Sequence, residues 1–98
     1  MEVSKLAFLV FDQGVEPDVM AVLEEMKIQH HTRWTDAFGS GETGIKQGTP
    51  IWPGLNTVLM VYMPAEQVEP LVEKLHEVRD SFHATPGMKV FVMDAAMM

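Results

Sequence analysis

The chain has 98 residues, 47% of them hydrophobic, which predicts a single domain spanning 1–98 with its own core. Fourteen acidic against seven basic residues give a formal charge of -7, which repels phosphate backbones and anionic membrane surfaces and argues against nucleic-acid binding. The absence of cysteine excludes disulfides, thiolate metal sites and a cysteine nucleophile, and no apolar run approaches the ~18 to 20 residues of a membrane span.

Met1 to Val10 carries Glu2 and Lys5 without a signal-peptide pattern, so the expectation is a cytoplasmic protein with no membrane insertion. Lys5 to Phe11 is a short apolar run closed by Asp12, Gln13 and Gly14, and it predicts a buried central strand. From Glu16 the pattern changes. Pro17 suits a first helical turn, Asp18 favours the helix N-terminus, and Val19, Val22, Leu23 and Met26 follow a helical stripe to about Lys27. Ile28 to Asp36 is rich in β-branched and aromatic residues of mixed polarity and predicts a second strand exposed on one face.

Gly39 to Asn56 follows, with five of the seven glycines, Pro50 and Pro53. A loop of this length between two strands is expected to bind something. Leu55 to Met63 predicts a third, buried strand ended by Pro64. The stripe Val68, Leu71, Val72, Leu75, Val78 and Phe82 then predicts a helix over Ala65 to Phe82. Pro86 and Gly87 break the chain before a last strand, Met88 to Met93. The order β-α-β-β-α-β predicts an α+β, ferredoxin-like fold, a four-stranded antiparallel sheet with both helices on one face. The bare face, apolar in sequence, is expected to be buried by further copies of the chain.

Gly39, Gly41 and Gly44 spell GxGxxG, but no helix follows, so a dinucleotide fingerprint is set aside in favour of a backbone anion nest or a mobile hairpin tip. Trp52, between Ile51 and Pro53, is placed to stack on a planar ligand, to cover a subunit junction or to anchor the loop. Trp34 shares a strand face with His30 and Thr32 and is expected to pack in an interface. His30 and His31 point to opposite faces, so one strand cannot offer both to one ion; no metal site is assigned within the chain. Met20, Met26, Met60, Met63 and Met93 are expected to fill a core, leaving Met97 and Met98 unassigned. Ser4, Ser40 and Ser81 lack a nucleophile setting, and Glu24 and Glu25 read as a charged helix face. No catalytic residue is assigned, and the chain is not expected to be an enzyme.

The order of elements resembles that of PII-like signalling proteins, and the likeness extends to three places. Phe38-Gly39 resembles the turn into the long T-loop, Pro86-Gly87-Met88-Lys89 the lysine-containing B-loop, and Val90 to Ala95 the final strand. The resemblance implies a cytoplasmic homotrimer of the kind used in nitrogen regulation. Its intersubunit clefts would bind a small effector, an adenine nucleotide or other small anion, while the 39–56 segment engages a target protein. Phe38 and Gly39 would line the loop base, Gly87 would offer backbone to the ligand, and Lys89 would neutralise its charge. Gly54 stands where the family has a ligand-contacting lysine, which leaves Lys46 as the replacement, and the loop has no tyrosine to modify. These departures imply a divergent member with another small ligand, its candidate contacts being Phe38, Gly39, Gly41, Lys46, Trp52, Gly87 and Lys89. The alternative is a divalent-metal-binding trimer of the cation-tolerance type, with His30, His31 or His83 meeting across subunits.

Overall fold

The computed structural model describes residues 4–38, 40–41, 44–45 and 55–98. Strand β1 (Ser4–Asp12) leads through a 3-10 turn (Gln13–Val15) into helix α1 (Glu16–Glu25) and strand β2 (His31–Ala37). Two-residue strands β3 (Ser40–Gly41) and β4 (Gly44–Ile45) pair with each other, so the expected loop carries some regular structure of its own. Strand β5 (Asn56–Pro64), a second 3-10 turn (Ala65–Gln67), helix α2 (Val68–Asp80) and strand β6 (Met88–Ala95) complete the order. The main sheet runs β2-β5-β1-β6, with each neighbouring pair antiparallel. This is the ferredoxin-like βαββαβ arrangement expected from the sequence.

Alternation in β1 and β5 divides the sheet into two faces. Ala7, Leu9 and Phe11 lie opposite Val61, Leu59 and Thr57, and all six are buried. Val15, Val19, Val22 and Leu23 from the first helical segment, with Leu71 and Leu75 of α2, close the core over that face. Lys74 of α2 reaches Glu25 of α1 at 2.9 Å, and this ion pair with its hydrogen bond raises the lysine pKa above its ordinary value. The other face presents Leu6, Phe8 and Val10 beside Tyr62, Met60 and Val58. Among the described residues no helix covers them, and all six are only half-buried.

Met63 is buried and Met20 and Met26 pack on the core, as expected. Met60 and Met93 do not: both lie on the open face, where Met93 is 44% exposed, because their register positions carry the opposite parity to Met63. Among the described residues no helix is long and apolar enough to cross a membrane.

Helix α1 stops at Glu25, two residues before the expected Lys27. Lys27 adopts φ 58°, its N–H donates to Glu24 O at 3.0 Å, and the Ile28 N–H donates to Leu23 O at 2.9 Å. This is a Schellman end with lysine where glycine is usual, sealed by burial of Ile28 beside Leu23. The turn consumes Ile28 to His30, so β2 begins at His31 and not at Ile28. Helix α2 likewise starts at Val68 and ends at Asp80, inside the expected Ala65 to Phe82, while Phe82 still packs on the core. β6 runs two residues past the expected Met93 because its pairing with β1 continues to Ala95.

Left-handed backbone costs a residue with a Cβ about 1 to 2 kcal/mol. Lys27→Gly should therefore raise unfolding stability by about 0.5 to 1 kcal/mol, read as an increased urea midpoint at unchanged slope. A destabilised variant would contradict the backbone account of this helix end.

Candidate functional site

Three segments distant in sequence meet at one end of the sheet. Asp12 is fully buried there, paired with Asn56 of β5 on one side. Its N–H donates to the Gly87 carbonyl at 3.0 Å on the other. Its Oδ1 accepts the Gly14 N–H at 3.0 Å and caps the first 3-10 turn. Asn56 also pairs with Ala37, and the Gln13 N–H donates to Leu55 O at 2.9 Å. Both ends of the glycine-rich segment and the turn before β6 are thereby fixed to the end of β1.

A bulge interrupts the β2–β5 register between Trp34 and Ala37, and Asp36 within it has φ 58°. The Gln13 side chain clasps this residue, accepting the Asp36 N–H at 2.7 Å and donating to Asp36 Oδ1 at 3.0 Å. Aspartate tolerates left-handed backbone better than most residues, and the clasp satisfies an amide that the bulge removes from the ladder. Beside it, Glu16 accepts the Thr57 hydroxyl at 2.8 Å and pairs with Arg33 at 3.5 Å. This end is thus built from carboxylates and amides, with Arg33 and Lys89 as nearby cations.

Of the expected contacts, Gly87 lies in this junction. Phe38, 89% exposed, follows directly on Ala37. Lys89 stands two residues beyond Gly87, opposite Val10. Across the open face the row reads Lys89, Val10, Val58, Trp34, so Lys89 and Trp34 occupy opposite edges, roughly 14 Å apart at normal strand spacing. Gly41 falls in β3. Gly39, Lys46 and Trp52 lie outside the described residues. Sequence reasoning missed Asp12, Gln13, Glu16, Arg33, Asp36 and Thr57; the one local sign was the polar Asp12-Gln13 closing an apolar run.

The histidines divide as the strand period requires. His31 lies opposite Val61 on the helix-facing side, whereas His30, whose carbonyl accepts the Tyr62 N–H at 2.9 Å, belongs to the open side. Among the described residues no group of three or more His, Asp or Glu side chains is placed to hold a metal ion.

No protein-family model matches the sequence, and no curated protein matches it. Solved structures do match. CPII from Thiomonas intermedia K12, bound to ADP and bicarbonate, is 21% identical with a TM-score of 0.73, over 97% of this chain and 87% of that one. A DUF3240 family protein from Shewanella baltica OS155 is 16% identical with a TM-score of 0.74, over 100% and 96% of the two chains. Arabidopsis thaliana PII bound to citrate is 15% identical with a TM-score of 0.69, over 97% of this chain and 79% of that one. The chain has the fold of the PII-like proteins.

Gln13→Ala should cost about 1 kcal/mol and accelerate exchange of the Asp36 amide by a factor of roughly 5 to 10. Unchanged Asp36 exchange by NMR would show that the clasp does not hold the bulge.

Proposed function

We propose that this PII-fold chain is a non-enzymatic regulatory protein that acts as a homotrimer. It binds a small anionic effector or nucleotide in clefts between subunits and reports to a protein partner through the 39–56 segment. The observation that carries the reading is the open sheet face. Phe91, Trp34 and Met93 are 55%, 48% and 44% exposed there, around a half-buried centre of Leu6, Phe8, Val10, Val58, Met60 and Tyr62. Fully burying a large apolar side chain contributes about 1.5 to 3 kcal/mol. A face of this size and composition therefore favours association of identical copies.

Assembly would give the polar junction its use. Asp12 ties the base of the 39–56 segment to Gly87, so a ligand touching the backbone near Gly87 would bear on both ends of that segment through two strands. Lys89, on the edge strand just after Gly87, is the cation this reading assigns to the effector. The ADP, bicarbonate and citrate in the neighbouring structures suggest the first ligands to try. Phe38 and Gly41 of the described residues, with Gly39, Lys46 and Trp52, are the further contacts proposed at the segment itself.

Light scattering should give three times the 11.0 kDa chain mass. Phe91→Glu, at a position exposed in the single chain, should leave the chain folded and reduce that mass. Calorimetry with ADP, AMP, bicarbonate and citrate should find at least one ligand whose affinity falls tenfold or more in Lys89→Ala. A monomeric wild type, or a trimer that binds none of the four, counts against the reading.

A further inference from the structure

The far end of the open face carries a different chemistry. A cavity of about 330 Å³ opens there beside His30, Met60, Tyr62 and Met97, and none of its lining residues is a carboxylate, lysine or arginine. The sheet register brings these residues together. Tyr62 and Met60 are alternate residues of β5 and share a face. His30 is joined to Tyr62 through its backbone, and Thr32 lies opposite Met60. His30 and Met60 are thus diagonal neighbours, a separation that long side chains span.

Met97 arrives from another direction. Two residues beyond β6, the Met97 N–H donates to the hydroxyl of Tyr62 on β5 at 3.2 Å. The His30 ring meets the Tyr62 ring edge-on, with centroids 6.3 Å apart and planes at 79°. Tyr62 therefore positions both an imidazole and a thioether-bearing segment at one cavity.

We propose that this cavity is a site for a soft monovalent metal ion, Cu(I) or its analogue Ag(I), held by the His30 imidazole and the Met60 and Met97 thioethers. Thioethers select soft ions, and imidazole suits copper. Hard cations such as calcium and magnesium require oxygen ligands, carboxylates above all, and the cavity has none of the latter. Zinc usually takes anionic thiolate or carboxylate partners beside histidine, which are also missing from this lining. A neutral nitrogen-and-sulfur set instead matches an ion of single charge. The site draws its ligands from one chain, two of them methionines outside the core. Met60 and Tyr62 belong also to the face proposed to associate, so in a trimer the site would lie within that interface, but it does not rest on the effector-binding reading.

The test is an anaerobic titration of the full chain with Cu(I) against a chromogenic Cu(I) chelator, with Zn(II) titrated in parallel. One Cu(I) per chain is expected, bound at least tenfold more weakly in His30→Ala, Met60→Leu and Met97→Leu and unchanged in His83→Ala. X-ray absorption should find sulfur in the copper shell of the wild type, reduced in either methionine variant. Methionine and leucine are close in volume, so those two variants keep the fold. Substoichiometric uptake, wild-type affinity in all three variants, or Zn(II) displacing Cu(I) at equal concentration overturns the proposal. The ADP and citrate titrations on the wild-type chain distinguish the two readings: effector binding without Cu(I) uptake rejects this site alone, and Cu(I) uptake without effector binding rejects the effector reading alone.

Discussion

Strands β1 and β5 are apolar on both faces, and two helices can cover only one of them. Leu9 and Leu59 vanish beneath the helices, while Phe8 and Met60, one residue away on the same strands, face outward. A one-residue slip in either strand would exchange these sets, placing Thr57 outside its contact with Glu16 and removing Leu59 from the core. The register that builds the core therefore also fixes the composition of the bare face. Both the surface proposed to associate and the His30 cavity follow from it.

The two ends of the sheet are chemically opposed. At one end Asp12, Glu16 and Asp36 meet backbone amides and the side chains of Gln13, Thr57 and Arg33. At the other, His30, Met60, Tyr62 and Met97 line a cavity, and the nearby Lys5–Asp94 pair lies on the helix-facing side of the register. The hydrogen bond and charge of Lys5 hold the Asp94 carboxyl below its ordinary pKa, which keeps that charge matched. A phosphate-like anion approaching the acidic end meets repulsion unless it reaches the Lys89 or Arg33 side. On the proposed reading, this favours a small ligand bound largely by backbone groups near Gly87.

What was legible in the sequence follows from how local its cause is. Lys5 to Phe11 and Leu55 to Met63 read as strands because apolar runs between polar bounds need no distant partner for their interpretation. The helix over Val68 to Asp80 was legible from its stripe. The end of α1 was not, since Met26 continues the stripe and the left-handed residue is a lysine, without the glycine that marks most such turns. Parity along one strand gave the split between His30 and His31. The same parity places Met60 and Met93 on the open face, although their hydrophobicity alone points to the core.

The Gln13–Asp36 clasp shows the limit more sharply. Its partners are 23 residues apart, and neither belongs to a recognisable motif. Only the pairing of β1 with β5 and of β5 with β2 brings the first 3-10 turn beside the bulge. Asp12 belongs to the same class: its place between Asn56 and Gly87 depends on two strand pairings and a turn. The sequence marked Gly87 through resemblance and the glycine-rich segment through composition, yet the residue that joins them read only as the end of a strand. Coupling between a ligand near Gly87 and the 39–56 segment, if the chain works as proposed, would run through this buried aspartate and the short strand ends on either side of it.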